Sequence, residues 1–298
     1  MPELDVGGRS VRLTNPDRVY FPERGITKGE VVEYFLAVGE GILAAVLDRP
    51  TALERWPAGV QPGSRLTVQN GERGDAFYHR HLPKGAPDWV QSEPPGGEVC
   101  PTELAVVAWA ANLGTLSFHP WPARRTSGGR PDRLWIDLDP QPGTGFADAV
   151  AVALELRALL AEHGLEGFPK TSGGRGVHVA VPIEPRWGFD DARAASIALG
   201  DALVRRMPDA ATSERFKKDR GERVLVDSGQ MMVAAAYSVR PLPHAPVSAP
   251  LTWDELADAA PEDFDVRTLP ARFAARGDLH AGLDANACSL EPLLELVR

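Results

Sequence analysis

The chain has 298 residues, with 43% hydrophobic and 24% charged side chains and a formal net charge of −9 at pH 7. This composition is typical of a globular protein with a sizeable core, and the negative charge argues against a protein that simply coats nucleic acid, which would be basic. Because the sequence contains neither an apolar run that could span a bilayer nor a signal-peptide core, we expect a cytoplasmic protein without a membrane partner.

A helix is predicted near the N-terminus. Thr27 and Glu30 fit a capping box with Thr27 as the N-cap, and apolar residues recur at helical spacing from Val31 onwards. These patterns predict one helix from about Lys28 to Val46. Lys28 would lie in its first turn, where free backbone N–H groups and the helix dipole favour an anion.

Strands and helices alternate through the middle of the chain. Residues 57–100 are rich in Gly, Pro and charge, which predicts loops and short strands. Hydrophobic spacing then predicts helices at about 103–113, 146–164 and 190–207, with strands between them and two short helices near the C-terminus. This order predicts a mixed α/β or α+β sheet core, and no low-complexity linker divides the chain.

The segment RLWIDLDP, residues 133–140, predicts a strand that carries two carboxylates. Asp137 and Asp139 are two residues apart, so they would share one face of the strand with Trp135. Adjacent like charges repel, and a divalent cation is the usual shared counter-charge. The alternative is a strand whose polar face meets water.

A third carboxylate, Asp227, ends another predicted strand, RVLVD. If the two strands are neighbours, the acids could hold two Mg²⁺ or Mn²⁺ ions about 4 Å apart, as in-line nucleotidyl transfer requires. The loop TSGGRGVH, residues 171–178, suits a triphosphate. Its glycines let backbone N–H groups approach phosphate oxygens, while Ser172 adds a hydroxyl and Arg175 a guanidinium.

Six motifs, in this order, resemble the polymerase/primase domain of bacterial DNA ligase D: LTNPDRVYFPERGITKGEVVEYF, HPW, LWIDLDP, TSGGRGVHVAVPI, RVLVD and AYSVR…APVSAPLTWDEL. That family belongs to the archaeo-eukaryotic primase superfamily and acts in Ku-dependent end joining. The resemblance covers nearly the whole chain. It implies an α+β fold whose primase-like catalytic core is a mixed or antiparallel sheet flanked by helices. It also implies one domain over residues 1–298, with a DNA-end-binding part (1–100), a catalytic core (101–250) and a helical tail (251–298).

The resemblance further implies roles for individual residues. The catalytic, metal-binding acids would be Asp137, Asp139 and Asp227. The nucleotide-binding residues would be His119, Ser172, Gly173, Arg175, Lys217, Arg220, Gln230 and Arg240. The DNA-binding residues would be Arg18 and Lys28, which hold the 5′-phosphate across a gap, and the template-stacking pair Phe77 and Tyr78.

The chain departs from the family pattern in several places. Many members have Lys where Arg175 and Arg18 stand, which changes the donor geometry but keeps the charge. After Asp227, the usual Asn and Lys-Thr pair are replaced by a shorter, apolar segment, so some template or primer contacts would be absent or made differently. No ligase or nuclease module follows, which fits either a stand-alone polymerase or a segment of a longer protein.

We therefore expect a metal-dependent, template-directed nucleotidyltransferase of the bacterial cytoplasm and nucleoid. Its partners would be DNA ends or gaps with a 5′-phosphate, ribo- or deoxyribonucleotides with a preference for the former, and Ku and a DNA ligase. One alternative is a haloacid-dehalogenase-type phosphatase, but Gln141 stands where that enzyme needs Thr or Val. The other is a non-catalytic DNA-binding relative, which would have no reason to retain all three acids.

Overall fold

The computed structural model describes residues 2–67, 74–93, 97–229 and 232–297. Its β-strands are β1 (Glu3–Val6), β2 (Arg9–Arg12), β3 (Val19–Phe21), β4 (Ile26–Thr27), β5 (Thr51–Arg55), β6 (Phe77–His79), β7 (Gln91–Ser92), β8 (Val99–Cys100), β9 (Thr115–Pro120), β10 (Arg133–Pro140), β11 (Phe168–Thr171), β12 (Val177–Pro182), β13 (Ala211–Thr212) and β14 (Val224–Asp227). Its α-helices are α1 (Lys28–Ala37), α2 (Gly39–Val46), α3 (Leu104–Asn112), α4 (Phe146–Glu162), α5 (Phe189–Arg206), α6 (Trp253–Leu256), α7 (Leu269–Arg276) and α8 (Glu291–Glu295). The predicted α+β class is confirmed.

The chain folds into two compact units. The first unit comprises Met1–Pro120, Ala234–Ser248 and Phe264–Asp278, and the second comprises Trp121–Val233, Ala249–Asp263 and Leu279–Arg298. The three consecutive parts expected from the sequence do not coincide with these units, because the chain leaves the first unit and returns to it twice.

The second unit is built on a five-stranded sheet in the order β11-β12-β10-β14-β13. All neighbouring strands are antiparallel except β13 and β14, which are parallel, so the prediction of a mixed sheet is confirmed. The long helices α4 and α5 pack against this sheet. Ile136 and Leu138 of β10 are fully buried on one face, whereas Trp135 packs on the other face with Ala180 and Leu283. The carboxylates of β10 continue the Trp135 face.

The first unit contains a second sheet in the order β6-β5-β8-β7, and β9 also pairs with β5. Two hairpins, β1–β2 and β3–β4, complete its strands within the described residues. Phe35 of α1 packs edge-on against Phe118 of β9, with ring centroids 5.4 Å apart. This contact joins the N-terminal helix to the strand that carries His119.

The predicted capping box at Thr27 is confirmed, but the predicted single helix is wrong. The Thr27 hydroxyl accepts from the Glu30 N–H at 3.2 Å, and the Glu30 carboxylate accepts from the Thr27 N–H at 2.7 Å. The helix is interrupted after Ala37, and α2 begins at Gly39. A Cβ at Gly39 would lie 2.6 Å from the Leu104 side chain. The close approach of α3 therefore accounts for glycine at this break.

None of the helices in the described parts of the chain combines the length and the hydropathy that a membrane crossing requires.

Candidate active site

Four polar residues form a row across neighbouring strands of the second unit. Lys170 of β11 pairs with His178 of β12, His178 pairs with Asp137 of β10, and Asp137 pairs with Asp227 of β14. Directly opposed residues of neighbouring strands place their side chains on the same face of a sheet. We call Lys170, His178, Asp137 and Asp227 the charged row. Its register confirms that the strands of the two predicted acidic motifs are neighbours.

The three acids differ in exposure. The Asp137 and Asp227 side chains are half-buried, and Asp139, two residues further along the Asp137 face, is the most exposed of the three. Partial burial and the charge of Asp137 raise the pKa of Asp139, while the Gln141 amide and the charges of Arg175 and Arg220 lower it. Asp139 therefore experiences the mutual repulsion that the D-x-D pattern predicted.

His178 is a member of the site that the sequence analysis missed. Its Nε2 lies 3.3 Å from Asp137 Oδ1, and only 7% of its side chain is exposed. The signal in the sequence was a single polar residue inside the apolar strand VHVAVP, immediately after the glycine loop. Strand alternation alone could not show that this residue faces the acids, because the pairing of β12 with β10 was unknown.

The acids offer hard oxygen ligands of the kind that Mg²⁺ and Mn²⁺ prefer. In the described parts of the chain, however, no three His, Cys, Asp or Glu side chains are gathered so that they could hold a metal ion. Two of the three carboxylates are engaged by neighbouring side chains. The carboxylate of Asp137 is directed to His178, and that of Asp139 accepts a 3.0 Å hydrogen bond from Gln141 Nε2. The backbone nevertheless places Asp137 and Asp227 side by side on one face of the sheet.

The side chain of Ser172 accepts hydrogen bonds from backbone N–H groups within the glycine loop. Ser172 Oγ accepts from the N–H groups of Gly174 and Gly176, each at 3.1 Å. These N–H groups are therefore directed to Ser172 and not outward, contrary to the expectation that the loop presents them to a phosphate. Gly173 has φ +75°, and a Cβ at Gly176 would lie 2.4 Å from the Leu138 carbonyl oxygen. The glycines serve the tight turn and its close approach to β10.

Two of the predicted nucleotide-binding arginines extend from the loops around the acids. Arg175 donates to the Pro140 carbonyl at the end of β10, at 3.1 Å. Arg220 donates through NH1 to Gln141 Oε1 at 3.2 Å, and its other nitrogens bind the carbonyls of Glu214 and Arg215. Gln141 thus links Arg220 to Asp139. Lys217 is exposed in a short 3₁₀ turn of the same loop.

His119 and Arg240 meet within the first unit. His119 Nε2 lies 3.1 Å from Glu54 Oε2 and 3.0 Å from Ser117 Oγ, and Arg240 NH1 donates to the same Ser117 hydroxyl at 3.3 Å. Burial opposes ionisation of Glu54, but His119, Arg240 and the Trp56 N–H outweigh it and lower the pKa of that carboxyl. A buried carboxylate therefore holds His119 and Arg240 in one cluster. The sequence analysis did not identify Glu54.

Phe77 and Tyr78 do not form one stacking surface. They are neighbours in β6, so their side chains point to opposite faces of the sheet. The Tyr78 ring packs edge-on against His119 with centroids 5.2 Å apart, while the Phe77 ring lies 5.3 Å from the Arg55 guanidinium. Tyr78 thereby belongs to the His119 cluster, and Phe77 does not.

Lys28 is less available than its position suggested. Its Nζ donates to Thr14 O at 2.6 Å, Thr14 Oγ1 at 2.9 Å and Asn112 Oδ1 at 2.8 Å. Its backbone N–H and that of Gly29 donate to the carbonyls of Arg18 and Pro16, so the expected free N–H groups are absent from this helix start. Burial and the nearby charge of Arg18 lower the pKa of Lys28 to about 8. The backbone of Lys28 thus pairs with that of Arg18, and their shared role at a 5′-phosphate stays a prediction.

Gln230 lies outside the described residues, so its role in nucleotide binding stays a prediction.

Comparison with known proteins gives the family. Residues 27–280 match the model described as the LigD primase-polymerase domain. The chain belongs to this family. Membership of the LigD primase-polymerase family removes the phosphatase alternative raised by the D-x-D pattern.

The chain is also similar to curated LigD proteins of three bacteria. It is 32% identical over 289 residues to the multifunctional non-homologous end joining protein LigD of Mycolicibacterium smegmatis, covering 93% of this chain and 36% of the relative. The corresponding values for the LigD of Mycobacterium tuberculosis H37Rv are 34% over 296 residues, 93% and 37%. For the bifunctional LigD of Bacillus subtilis they are 28% over 276 residues, 90% and 43%. The chain spans roughly two fifths of the length of these relatives.

The fold is shared with a solved member of the LigD family. The structure of the polymerase domain from Mycobacterium tuberculosis ligase D in complex with DNA matches with a TM-score of 0.80 and 33% sequence identity. The match covers 93% of this chain and 99% of the other. The fold implied by the sequence resemblance is therefore confirmed.

Proposed function

We propose that the chain catalyses metal-dependent, template-directed nucleotidyl transfer at DNA ends or gaps. The observation that carries this proposal is the pairing of Asp137 with Asp227 across β10 and β14, with Asp139 two residues further on the same face. The relatives are named as non-homologous end joining proteins, and the similar solved structure is a polymerase domain in complex with DNA. These names support DNA as the partner and DNA break repair as the setting.

The three acids are the proposed ligands of two Mg²⁺ or Mn²⁺ ions. Bound there, the ions would lower the pKa of a primer 3′-hydroxyl and balance charge on the triphosphate. The contribution of the protein is to place Asp137 and Asp227 on two hydrogen-bonded strands, which are more rigid supports than loops. His178 and Gln141 orient the carboxylates of Asp137 and Asp139 from the sides.

Positively charged and hydroxyl groups are the proposed triphosphate ligands. The charges of Arg175 and Arg220 already act on Asp139, so they are close enough to balance a polyphosphate beside the acids. Ser172 retains its hydroxyl proton for donation, since its oxygen accepts from the loop. The proposed nucleotide-binding set is His119, Ser172, Gly173, Arg175, Lys217, Arg220, Gln230 and Arg240.

The DNA contacts are proposed to lie in the first unit. Arg18 and Lys28 would bind the 5′-phosphate downstream of a gap, and Phe77 and Tyr78 would contact the template from opposite faces of β6. Ku and a DNA ligase are the proposed protein partners in the bacterial cytoplasm, because the relatives are end-joining proteins much longer than this chain. A preference for ribonucleotides belongs to the same proposal.

Primer extension tests this proposal. The substrate is a short gapped duplex with a downstream 5′-phosphate, supplied with Mn²⁺ or Mg²⁺ and with either ribo- or deoxyribonucleotides. Template-directed addition by the wild type that is lost in Asp137→Ala, while DNA binding measured in parallel is unchanged, is the expected result. Asp209→Asn, an exposed aspartate outside the charged row, is the matched control and keeps full activity.

If the wild type binds the gapped duplex but adds no nucleotide with either metal, the catalytic proposal fails. The chain would then be a DNA-binding relative without polymerase activity.

A further inference from the structure

Lys170 is a fully buried lysine at one end of the charged row. It has no exposed surface, and its backbone pairs with β12 at His178. Its Nζ lies 2.7 Å from His178 Nδ1 and 5.4 Å from the centre of the Trp135 ring. Burial of an ammonium costs free energy, and an apolar side chain of similar length would fill the same space without that cost. The presence of lysine here therefore requires a reason other than packing.

The contacts on the two sides of His178 determine where its proton lies. We take Lys170 as an ammonium, which only donates hydrogen bonds, and on that assignment His178 Nδ1 accepts from Lys170 and carries no proton. The ring proton then resides on Nε2, which lies 3.3 Å from Asp137 Oδ1. A carboxylate only accepts, so the Asp137 side independently places a proton on Nε2, as the same tautomer does. Both contacts of the imidazole are therefore satisfied by the Nε2–H tautomer.

We propose that Lys170 is a positioning residue of the active site. It holds His178 as the Nε2–H tautomer, and His178 in turn directs its N–H to one oxygen of Asp137 and orients that carboxylate. Lys170 contacts neither DNA nor nucleotide in this role and acts only through His178. The consequence for catalysis depends on the proposed nucleotidyl transfer, whereas the tautomer assignment does not.

The arrangement resembles the outer partners that fix histidine orientation around metal centres, whose removal typically lowers metal affinity or activity by about 10- to 100-fold. Here the partner is a lysine on the outermost strand of the sheet, one strand beyond the histidine. Because the contact is between side chains of directly paired residues, the same backbone hydrogen bonds that build the sheet also set its geometry.

The test is nitrogen NMR of the 298-residue chain labelled with ¹⁵N-histidine, with and without Mg²⁺, where His178→Gln assigns the signal. In the wild type, His178 is expected to show a protonated Nε2 and an unprotonated Nδ1. In Lys170→Met, which removes the donor at similar length, the Nδ1–H form is expected to appear. Melting temperature and circular dichroism report whether the variant folds. If the variant does not fold, the wild-type spectrum still decides the tautomer.

Primer extension with Lys170→Met supplies the second readout. We expect kcat to fall about tenfold or more while the KM for nucleotide stays within about twofold, because the variant disturbs a carboxylate and leaves the triphosphate ligands in place. An Nδ1–H signal in the wild type would overturn the inference. So would a folded Lys170→Met with an unchanged tautomer, or one with an altered tautomer and unchanged kcat. If the wild type itself does not extend primers, the proposed function fails, and the spectrum still decides the tautomer assignment.

Discussion

Asp137 and Asp227 are direct partners in the antiparallel ladder of β10 and β14, although ninety positions separate them in the sequence. On its other side Asp137 is paired with His178. The carboxylate of Asp137 is therefore flanked by an acid and an imidazole on adjacent strands. Substitutions in and around this arrangement lead to specific expectations.

The close approach of the glycine loop to β10 predicts a sharp difference between two neighbouring glycines. A Cβ at Gly176 would lie 2.4 Å from the Leu138 carbonyl oxygen, whereas a Cβ at Gly174 would make only an ordinary contact with Ser172 Oγ at 3.5 Å. Gly176→Ala is expected to lower the free energy of unfolding by about 1–3 kcal/mol. Gly174→Ala should change it by less than about 0.5 kcal/mol. Urea denaturation measures both, and equal effects would contradict this account of the loop.

The low pKa of Lys28 predicts that recognition of a 5′-phosphate weakens in mild alkali. Because burial and Arg18 lower this pKa to about 8, the Lys28 side chain is mostly the neutral amine at pH 9. We expect the affinity gained from a 5′-phosphate on gapped DNA to fall by up to about tenfold between pH 7 and pH 9. Lys28→Arg keeps its charge over this range and should not show the decline. A wild-type phosphate preference that is the same at both pH values would count against Lys28 as a phosphate ligand.

The lowered pKa of Lys28 also makes the free energy of unfolding depend on pH. The unfolded chain binds the Lys28 proton more tightly than the folded chain, since the usual lysine pKa is 10.5. The contribution of this residue to the free energy of unfolding should therefore rise as the pH increases from about 8 towards 10.5.

The cluster around Glu54 predicts that Glu54 acts through His119. Glu54→Gln removes the negative charge that holds His119 and Arg240 together, so the KM for nucleotide should rise by about tenfold, in line with the loss of a charged hydrogen bond. His119→Gln should have a similar effect, and the double variant should be no worse than His119→Gln alone. Glu103→Gln, which affects a glutamate paired with Arg9 in the same unit, serves as the control. Effects that multiply in the double variant would show that the two residues act independently.

Local patterns in the sequence were sufficient for some features. The capping box at Thr27 and the alternation of Asp137 and Asp139 depend only on neighbouring residues, and both are confirmed. The requirement for glycine at position 39, beside the helix break, was not predictable, because it depends on Leu104, sixty-five positions away in the sequence. Long-range packing of this kind leaves no periodic signal within the helix itself.

In the candidate site, too, some residues could be predicted from the sequence and others could not. The resemblance to a family supplied the acids, but His178, Lys170 and Glu54 emerged only from the strand register and from buried side-chain contacts. A lone polar residue in an apolar strand is compatible with many pairings. Conversely, Phe77 and Tyr78 were expected to act as a pair, and the strand β6 separates them because consecutive residues alternate between faces.

The most direct test of the central claim is single-turnover primer extension by Asp227→Asn on saturating gapped DNA, beside the wild type and Asp209→Asn. Asp227 lies on a different strand from the D-x-D pair, so its effect depends on the register of β10 and β14. The account predicts at least a hundredfold slower nucleotide addition for Asp227→Asn with unchanged DNA affinity, and the wild-type rate for Asp209→Asn, as removal of a metal ligand requires. Extension by Asp227→Asn at the wild-type rate would contradict it.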